Sequence, residues 1–456
     1  MQKLFDEVGS LDARCYEEFF LSEDTLMEHA ANGMASFIRE KFQKKSTVII
    51  VTGSGNNGAD GIALARLLYG DYTVSLLHAK AAKSPMAQLQ KKRADALGVP
   101  TLTQLQSCDV LVEAIVGTGF NGSFDAKISQ LIQDMNNSNS YKIACDMPSP
   151  RFYADTTLTM GALKKALFLD AQKEYVGNIK VLDLGISRAL YERESNWHLL
   201  DETDLQLPHR TKTNSHKGTY GHLALLSGEK LGASVMAASA ALRFGSGLVT
   251  LVGYEKEQLL NIPAELMYAH ALPKTTSAVA LGMGLGSELS EKEILQFLAN
   301  NLPLIIDADL FYMKIIVKIL EKKNILLTPH PKEFVSLLKL TNIADITVTE
   351  LQNERFKYVE LFCEKYPHVT LLLKGANVII GQGETFYINP HGSAKLAKGG
   401  SGDVLSGLIG ALLAQGHTAL HAAIHASLAH TKVAKNYTGA DFSLTPMDLI
   451  EGITKL

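Results

Sequence analysis

The sequence predicts two α/β domains in tandem, each a mostly parallel sheet with helices on both faces. Three observations lead there. Short, continuously apolar runs alternate with stretches of helical periodicity. The alternation occurs twice. A polar segment that opens at Ser195, SNWHLLDETDLQLPHRTKTNSHKG, separates the two series and holds the only tryptophan, Trp197. Strands sandwiched between helices have no solvent face, which is why they read as unbroken apolar runs. The boundary is placed near residue 200, giving domains 1–203 and 204–456.

Residues 1–45 read as helices, with Leu26, Ala30, Met34 and Phe37 at helical spacing. TVIIV before Gly53, TVSLLHA before Lys80, DVLVEAIV before Gly117 and YKIACDM before Pro148 read as strands. Between them Ala59–Tyr69, Pro85–Leu97 and Asp125–Met135 carry helical periodicity. In the second series HLALLSG, SGLVTLV, SAVALGM, PLIIDAD, KNILLTP and VTLLLKG read as strands. Ala233–Phe244, Gly402–Gln415, His421–Tyr437 and Pro446–Ile453 read as helices. There is no short-period repeat and no low-complexity tract.

The 456 residues are 46% hydrophobic and 20% charged, enough apolar material for a core in each half. A net charge of -3 offers no basic surplus for a nucleic-acid backbone. A small anion remains a possible ligand, because backbone amides bind phosphate on an acidic protein. Cys15, Cys108, Cys145 and Cys363 form no CxxC pair, which speaks against a zinc or redox motif and suits a reducing cytoplasm. The N-terminus lacks an apolar signal core. The longest weakly charged stretch, Val404–Gln415, is short of the roughly 20 residues a membrane span needs. A soluble cytoplasmic protein is expected, with no nucleic-acid or membrane partner and a homo-oligomeric state.

GSGNNGADG, Gly53 to Gly61, joins a strand to a helix. Gly53, Gly55 and Gly58 satisfy GxGxxG, a weak signal alone. The dinucleotide fold that uses this pattern also wants a carboxylate at the end of the next strand. Here that strand ends Leu77-His78-Ala79-Lys80, so an ordinary hydride-transfer domain is disfavoured. Asn56, Asn57 and Asp60 are three polar side chains at one strand's carboxyl end, expensive to place there unless they bind something. Glu113 with VGTGFNGS, and CDMPSP with Asp146 and Ser149, should converge on the same rim, where open parallel sheets hold ligands.

GxGNNGxDG, an acidic-x-x-x-GTGF segment and a DxPS segment together resemble the NAD(P)H-hydrate epimerase family over most of residues 1–200, with a Rossmann-like fold. The resemblance implies substrate contacts from Asn56, Asn57, Gly58, Ala59 and Asp60. It implies further contacts from Gly117, Thr118, Gly119, Phe120, Asn121, Gly122 and Ser123, with Asp146 as acid/base and substrate contact. It also implies a potassium ion held by Asn57, Glu113 and Ser149. Two positions depart from the family pattern: Glu113 stands where aspartate is usual, and Pro150 where glycine is usual. Both touch the ion site.

In the second half GGSGD, Gly399 to Asp403, opens a helix. Consecutive glycines let amides face a phosphate, and the helix N-terminus adds partial positive charge. A carboxylate there either caps the helix or activates a hydroxyl for phosphoryl transfer. Its companions are HKGTYGH, GMGLG, IIDADL, TPHPKEF and LLLKGANVII. In this order they resemble the ADP- or ATP-dependent NAD(P)H-hydrate dehydratases, a branch of the ribokinase-like fold, over nearly all of 205–456. That resemblance implies a nucleotide lined by Lys374, Gly375, Ala376, Asn377 and Val378, and Gly402 in the anion-hole turn. It makes Asp403 the base and substrate contact, and Ala233, Gly284 and His330 contacts for the hydrated dinucleotide. Asp307 and Asp309 share one face of a strand end, where they hold magnesium or order a loop. His421, His425 and His430 read as ordinary helix histidines.

The expected activity is a two-step repair of hydrated NADH and NADPH. Epimerisation of the R and S hydrates is followed by dehydration of the S form, with potassium in the first domain, Mg²⁺ in the second and ADP as co-substrate, giving AMP and phosphate. Two rivals remain. A vitamin-precursor kinase with a regulatory N-terminal domain shares GGSGD but does not account for His330 or for the first domain. A non-enzymatic nucleotide sensor has no use for both Asp146 and Asp403.

Overall fold

The computed structural model describes the whole chain except Asn121 and residues 254–261, 287–288 and 299–300. It contains two compact units, Gln2–Ser195 and Asn196–Leu456.

The strands of the first unit are β1 (Gln2–Phe5), β2 (Thr47–Thr52), β3 (Thr73–His78), β4 (Thr101–Leu102), β5 (Val110–Ala114), β6 (Tyr141–Cys145), β7 (Thr156–Met160), β8 (Leu163–Lys164) and β9 (Asn178–Leu182). Seven of them form a parallel sheet in the order β4-β3-β2-β5-β6-β7-β9. Residues 2–5, read as helical, are a strand, which pairs in parallel with β8. Alternation along β2 shows why the strands are apolar throughout. Val48 and Ile50 pack with Leu26, Met34 and Ile62 from the helices Glu23–Lys41 and Asn56–Leu68. Ile49 and Val51 pack on the other face with Ile128, Ile132 and Met135 of the helix Ala126–Asn137. The helix starts follow local chemistry: Ser22, Ser84 and Asp125 each accept a first-turn amide, and Pro85 takes the first helical position.

The strands of the second unit are β10 (Trp197–Leu199), β11 (His222–Leu226), β12 (Leu248–Val252), β13 (Met267–Ala269), β14 (Ala278–Leu281), β15 (Leu304–Ile306), β16 (Ile325–Leu327), β17 (Val369–Leu373), β18 (Val378–Gln382) and β19 (Thr385–Asn389). Their order is β13-β12-β11-β14-β15-β16-β17-β18-β19-β10. Pairing is parallel except at β17–β18 and β18–β19. The helices Leu231–Arg243, Ser401–Ala414 and Ala419–Asn436 bury alanine- and leucine-rich faces in its largest core.

The chain passes between units at Ser195 and Asn196, earlier than the sequence boundary of 203/204. The reason is β10, which lies inside the polar segment. It pairs with β19, and the Trp197 ring stacks on Phe386 with centroids 4.6 Å apart. Trp197 therefore belongs to the second unit's core.

Both sheets have a topological switch point. In the first, the chain moves from β2 outward through β3 and β4, then returns to β5 on the other side of β2. In the second it moves from β11 through β12 and β13, then returns to β14. Loops leaving adjacent strands in opposite directions open a crevice at the carboxyl ends.

Candidate active sites

At the first switch point, Gly53 lets two loops touch. A Cβ there would stand 1.8 Å from the Ile115 carbonyl oxygen, so any side chain would push the loop after β5 away. The helix Asn56–Leu68 then begins behind Gly55, which has no side chain to cap it, so its first amides remain available. Asn57 Nδ2 donates to the Val116 carbonyl at 2.9 Å. That fixes the amide and leaves Oδ1 buried without a hydrogen-bond partner. A Cβ on Gly117 would lie 3.6 Å both from the Asn57 side chain and from Asp146 Oδ2. The loops after β2, β5 and β6 therefore meet at one point.

Asp146 follows β6 with φ 67, a left-handed conformation that aspartate tolerates better than most residues and that is concentrated at functional sites. Its Oδ1 accepts from the Met160 amide at 3.1 Å, from Thr159 Oγ1 at 3.2 Å and from the Lys164 ammonium. Lys164 has no exposed side-chain surface and donates also to Thr159 Oγ1 at 2.8 Å and to the Met160 carbonyl at 3.2 Å. All three of its protons are used. Asp146 Oδ2 is the oxygen left toward Gly117. Asp60 lies near this pair; burial first, and then the Asp146 charge, hold its carboxyl well above the usual carboxylate range. Beyond them Tyr191 donates to Asp12 Oδ1 at 2.7 Å, and burial raises Asp12 as well.

Other expected substrate residues are placed differently. Asn56 donates to Glu23 Oε1 at 2.7 Å, tying the loop to the preceding helix. Gly58 permits close approach to the Gly53 carbonyl, and the Ala59 methyl packs in a small cluster with Met27 and Met86. Thr118 and Gly119 are exposed, and Phe120 stacks on Phe124 at 4.6 Å. Gly122 and Ser123 line a cavity beside the helix Ala126–Asn137. Asn121 lies outside the described residues. Glu113 is fully buried. Its Oε1 accepts from the Ile115 amide at 2.6 Å and Ser149 Oγ at 2.7 Å, and its Oε2 from the Ser149 amide at 2.9 Å. Burial pushes it up to about 7 against those bonds.

At the second switch point Gly284, φ 64, lets its loop close on the one after β11: a Cβ there would meet Ala233 Cβ at 3.0 Å. The structure thus brings Ala233 and Gly284 together. The loops after β15, β16 and β17 carry Asp307, His330 and Lys374. Lys374 Nζ donates to Asp307 Oδ1 at 2.7 Å, and Ser406 Oγ donates to Asp307 Oδ2 at 2.6 Å. Asp309 Oδ2 accepts from the Gly286 amide at 2.9 Å. Both carboxylates therefore order loops. A Cβ on Gly402 would stand 3.3 Å from Lys374 Nζ, so the ammonium lies at the anion-hole turn. The turn itself needs Gly400, φ 91, where a Cβ would strike Pro446 and Met236. Asp403 lies in the first turn of the helix Ser401–Ala414. Burial, followed by the Asp307 charge and opposed by Lys374, raises it to about 6.

His330 caps the helix Pro331–Leu340. Its Nδ1 accepts from the Lys332 amide at 3.1 Å, and its Nε2 meets Glu333 Oε1 at 3.1 Å, with its ring half-exposed. The Lys374 amide donates to the Pro329 carbonyl at 2.9 Å, so this cap and Lys374 are joined. Asn377 is buried at the start of the β17–β18 hairpin, and Val378 turns its side chain into the core. Gly375 and Ala376 form the connecting turn, against which Gly392 packs closely.

Sequence reasoning missed one group. Lys164 stands in MGALKKALF, where only a lysine just after an apolar run hinted at burial. His430 is a buried helix histidine, with Nε2 3.2 Å from Ser401 Oγ, and burial lowers it to about 4.

Each unit presents carboxylates and a lysine at a switch-point crevice, in the second unit beside a glycine-rich turn that opens a helix. This is the architecture of a two-site enzyme of nucleotide chemistry. Residues 223–455 match the NAD(P)H-hydrate dehydratase family, and residues 23–166 match the YjeF-related protein N-terminus family. The chain is 43% identical to the bifunctional NAD(P)H-hydrate repair enzyme of Helicobacter pylori over the whole of both chains. It is 31% identical to that of Coxiella burnetii, covering 87% of this chain and 86% of that one. A solved structure, the Bacillus subtilis ADP/ATP-dependent NAD(P)H-hydrate dehydratase co-crystallised with ATP/Mg²⁺, is 28% identical. It covers 55% of this chain and 92% of its own, with a TM-score of 0.48. The chain belongs to the bifunctional NAD(P)H-hydrate repair enzymes, with an N-terminal epimerase domain and a C-terminal ADP-dependent dehydratase domain. Among the described residues no helix is long and apolar enough to cross a membrane.

Proposed function

We propose that the two steps of the repair run at the two carboxylates described, Asp146 and Asp403. The observation that carries this is the placement of each at a switch-point rim beside a lysine whose protons are directed by the fold. In the hydrate the hydroxyl-bearing carbon also carries the ring nitrogen. Asp146 Oδ2 takes the hydroxyl proton while Asp60, raised by burial, gives a proton to the nitrogen; the carbon–nitrogen bond opens to an aldehyde. Rotation and reclosure on the other face return both protons and yield the other epimer.

In the second unit Asp403 takes the substrate hydroxyl proton as that oxygen attacks the terminal phosphorus of ADP, and AMP departs. The ring then expels phosphate and gives up a proton from the neighbouring carbon, restoring the dihydronicotinamide. Lys374 and the amides of the Gly399–Gly402 turn neutralise charge on the transferred group. Lys374 thus serves the phosphates, and the turn from Gly375 to Asn377 carries the rest of the nucleotide. Ala233, Gly284 and His330 border the hydrate. Magnesium bound with the nucleotide would spread the charge of the transferred group.

For potassium, the residues present fit the ion. Asn57 offers a buried oxygen with no other partner, and Ser149, whose proton goes to Glu113, keeps its lone pairs. Glu113, when ionised, would supply the compensating charge, and oxygen donors suit a hard cation. Held there, the ion would steady the crevice next to Asp146. We also assign the enzyme to the cytoplasm, where its four free thiols suit a reducing solution.

The test uses the full chain with chemically hydrated NADH and ADP. Nicotinamide absorbance should return with release of AMP and phosphate. Absorbance that stays flat while ADP is present would reject the assignment.

A further inference from the structure

Beside the epimerase crevice lies a cavity of about 880 Å³, lined by Gly122, Ser123, Arg151, Tyr153 and Tyr175 among others. Of its lining, only Gly122 and Ser123 belong to the loop expected to contact substrate; Arg151, Tyr153 and Tyr175 have no role in the steps above. Its size falls in the range of small-ligand sites. Two stretches of chain lead from the crevice to its wall. Gly122 and Ser123 end the loop whose first residue, Gly117, faces Asn57 and Asp146. Pro150 follows Ser149, the partner of Glu113, and itself lines the cavity.

Its chemistry is that of a nucleotide seat. Tyr153, nearly half exposed, packs against Tyr175 with ring centroids 4.8 Å apart, which offers an aromatic surface to a planar base. Arg151 is exposed. Its backbone is nonetheless fixed. Asn136 Nδ2 donates to the Arg151 carbonyl at 2.8 Å, and the Tyr153 amide donates to Asn136 Oδ1 at 3.0 Å. An exposed guanidinium on an anchored backbone, in a cavity that a glycine-serine loop end also lines, suits a phosphate.

We propose that this cavity binds the adenosine-phosphate half of the hydrated dinucleotide, with Arg151 on a phosphate and Tyr153 under the base, while the hydrated ring lies at Asp146. The proposal rests on the epimerase reading of Asp146. A free adenine nucleotide offers the same chemistry, so the experiment separates the two sources.

Epimerisation by the full chain is followed chromatographically with hydrated NADH and with the hydrated reduced nicotinamide mononucleotide, which lacks the adenylate half. Wild type should show a lower KM for the dinucleotide. Arg151→Gln should raise that KM about ten-fold or more, the size of one lost hydrogen bond to a charged group, with kcat unchanged. It should leave the mononucleotide untouched. Tyr153→Ala should act in the same direction, and added AMP should compete with the dinucleotide in wild type. Equal effects of Arg151→Gln on both substrates, or on neither, overturn the proposal. So does AMP altering mononucleotide turnover when the dinucleotide has no KM advantage, because the cavity would then serve a free nucleotide. If wild type epimerises neither substrate, the epimerase reading itself has failed.

Discussion

The environment of Asp403 makes a quantitative claim about pH. Burial and the Asp307 carboxylate raise it to about 6, and Lys374 opposes them. A base must be ionised, so dehydratase activity should be lost as pH falls through about 6 and fully present above it. At pH 5 roughly one tenth of the carboxylate is ionised, and at pH 7 roughly nine tenths, so kcat/KM should fall about ten-fold across that interval. The two neighbours act with opposite sign. Asp307→Asn removes the repelling charge and should move the limb to lower pH; Lys374→Ala removes the attracting one and should move it to higher pH. Asp403→Asn should lower the rate by on the order of 10²–10⁴ and abolish the limb. The assay is recovery of nicotinamide absorbance from the S hydrate at fixed ADP, buffered from pH 5 to 8. A limb that survives in Asp403→Asn belongs to the nucleotide or to another group. A common direction of shift in Asp307→Asn and Lys374→Ala would refute the electrostatic account.

Asp146→Ala should restore NADH from one epimer at the wild-type rate and then stall, and mixing it with Asp403→Asn should recover full repair; consumption of both epimers by Asp146→Ala alone would remove the epimerase assignment. Epimerisation should slow when potassium is replaced by a bulky organic cation, and Asn57→Ala should lose that response, which initial rates under both salts will show. Lys164→Met should abolish epimerisation and shift the chemical-denaturation midpoint by an amount equivalent to about 3 kcal/mol, because it leaves Asp146 without its buried counter-charge.

Much of this was legible because it is local. Apolar runs marked β2, β3, β5 and β6, and glycine-rich loops after them marked the rim, since both signals sit within a few consecutive residues. What escaped depends on distant partners. β10 was hidden because its polar surroundings mask three residues whose stability comes from Trp197 stacking on Phe386, far along the chain. β1 was hidden because it is a short run completed only by β8. Lys164 carries no motif that points to Asp146; their meeting requires β7 and the turn at Gly161 to bring the two together. Lys374 was legible as a lysine at a strand's carboxyl end, but its direction was not. Its ammonium is aimed by Asp307, two strands away in the sheet.

On the roles proposed above, the two sites meet opposite proton problems with the same three kinds of group. Each has a carboxylate proposed to react, a second carboxylate and one lysine. In the first unit the lysine is bonded to the reactive Asp146 itself, and the neighbour, Asp60, is the group driven toward its neutral form. One group can then accept a proton while the other donates, which is what a reversible ring opening requires in both directions. In the second unit the lysine is bonded to the neighbour, Asp307, and the reactive Asp403 is the group pushed up. A base raised to about 6 is still ionised at neutral pH yet holds a proton more firmly than an ordinary aspartate, as suits taking one proton from an alcohol in a step driven forward by phosphoryl transfer. Under that proposal the position of the lysine, on the reacting carboxylate or beside it, would distinguish a two-way exchange from a one-way transfer. Moving that partnership by mutation should change the direction of the pH response before it changes the fold.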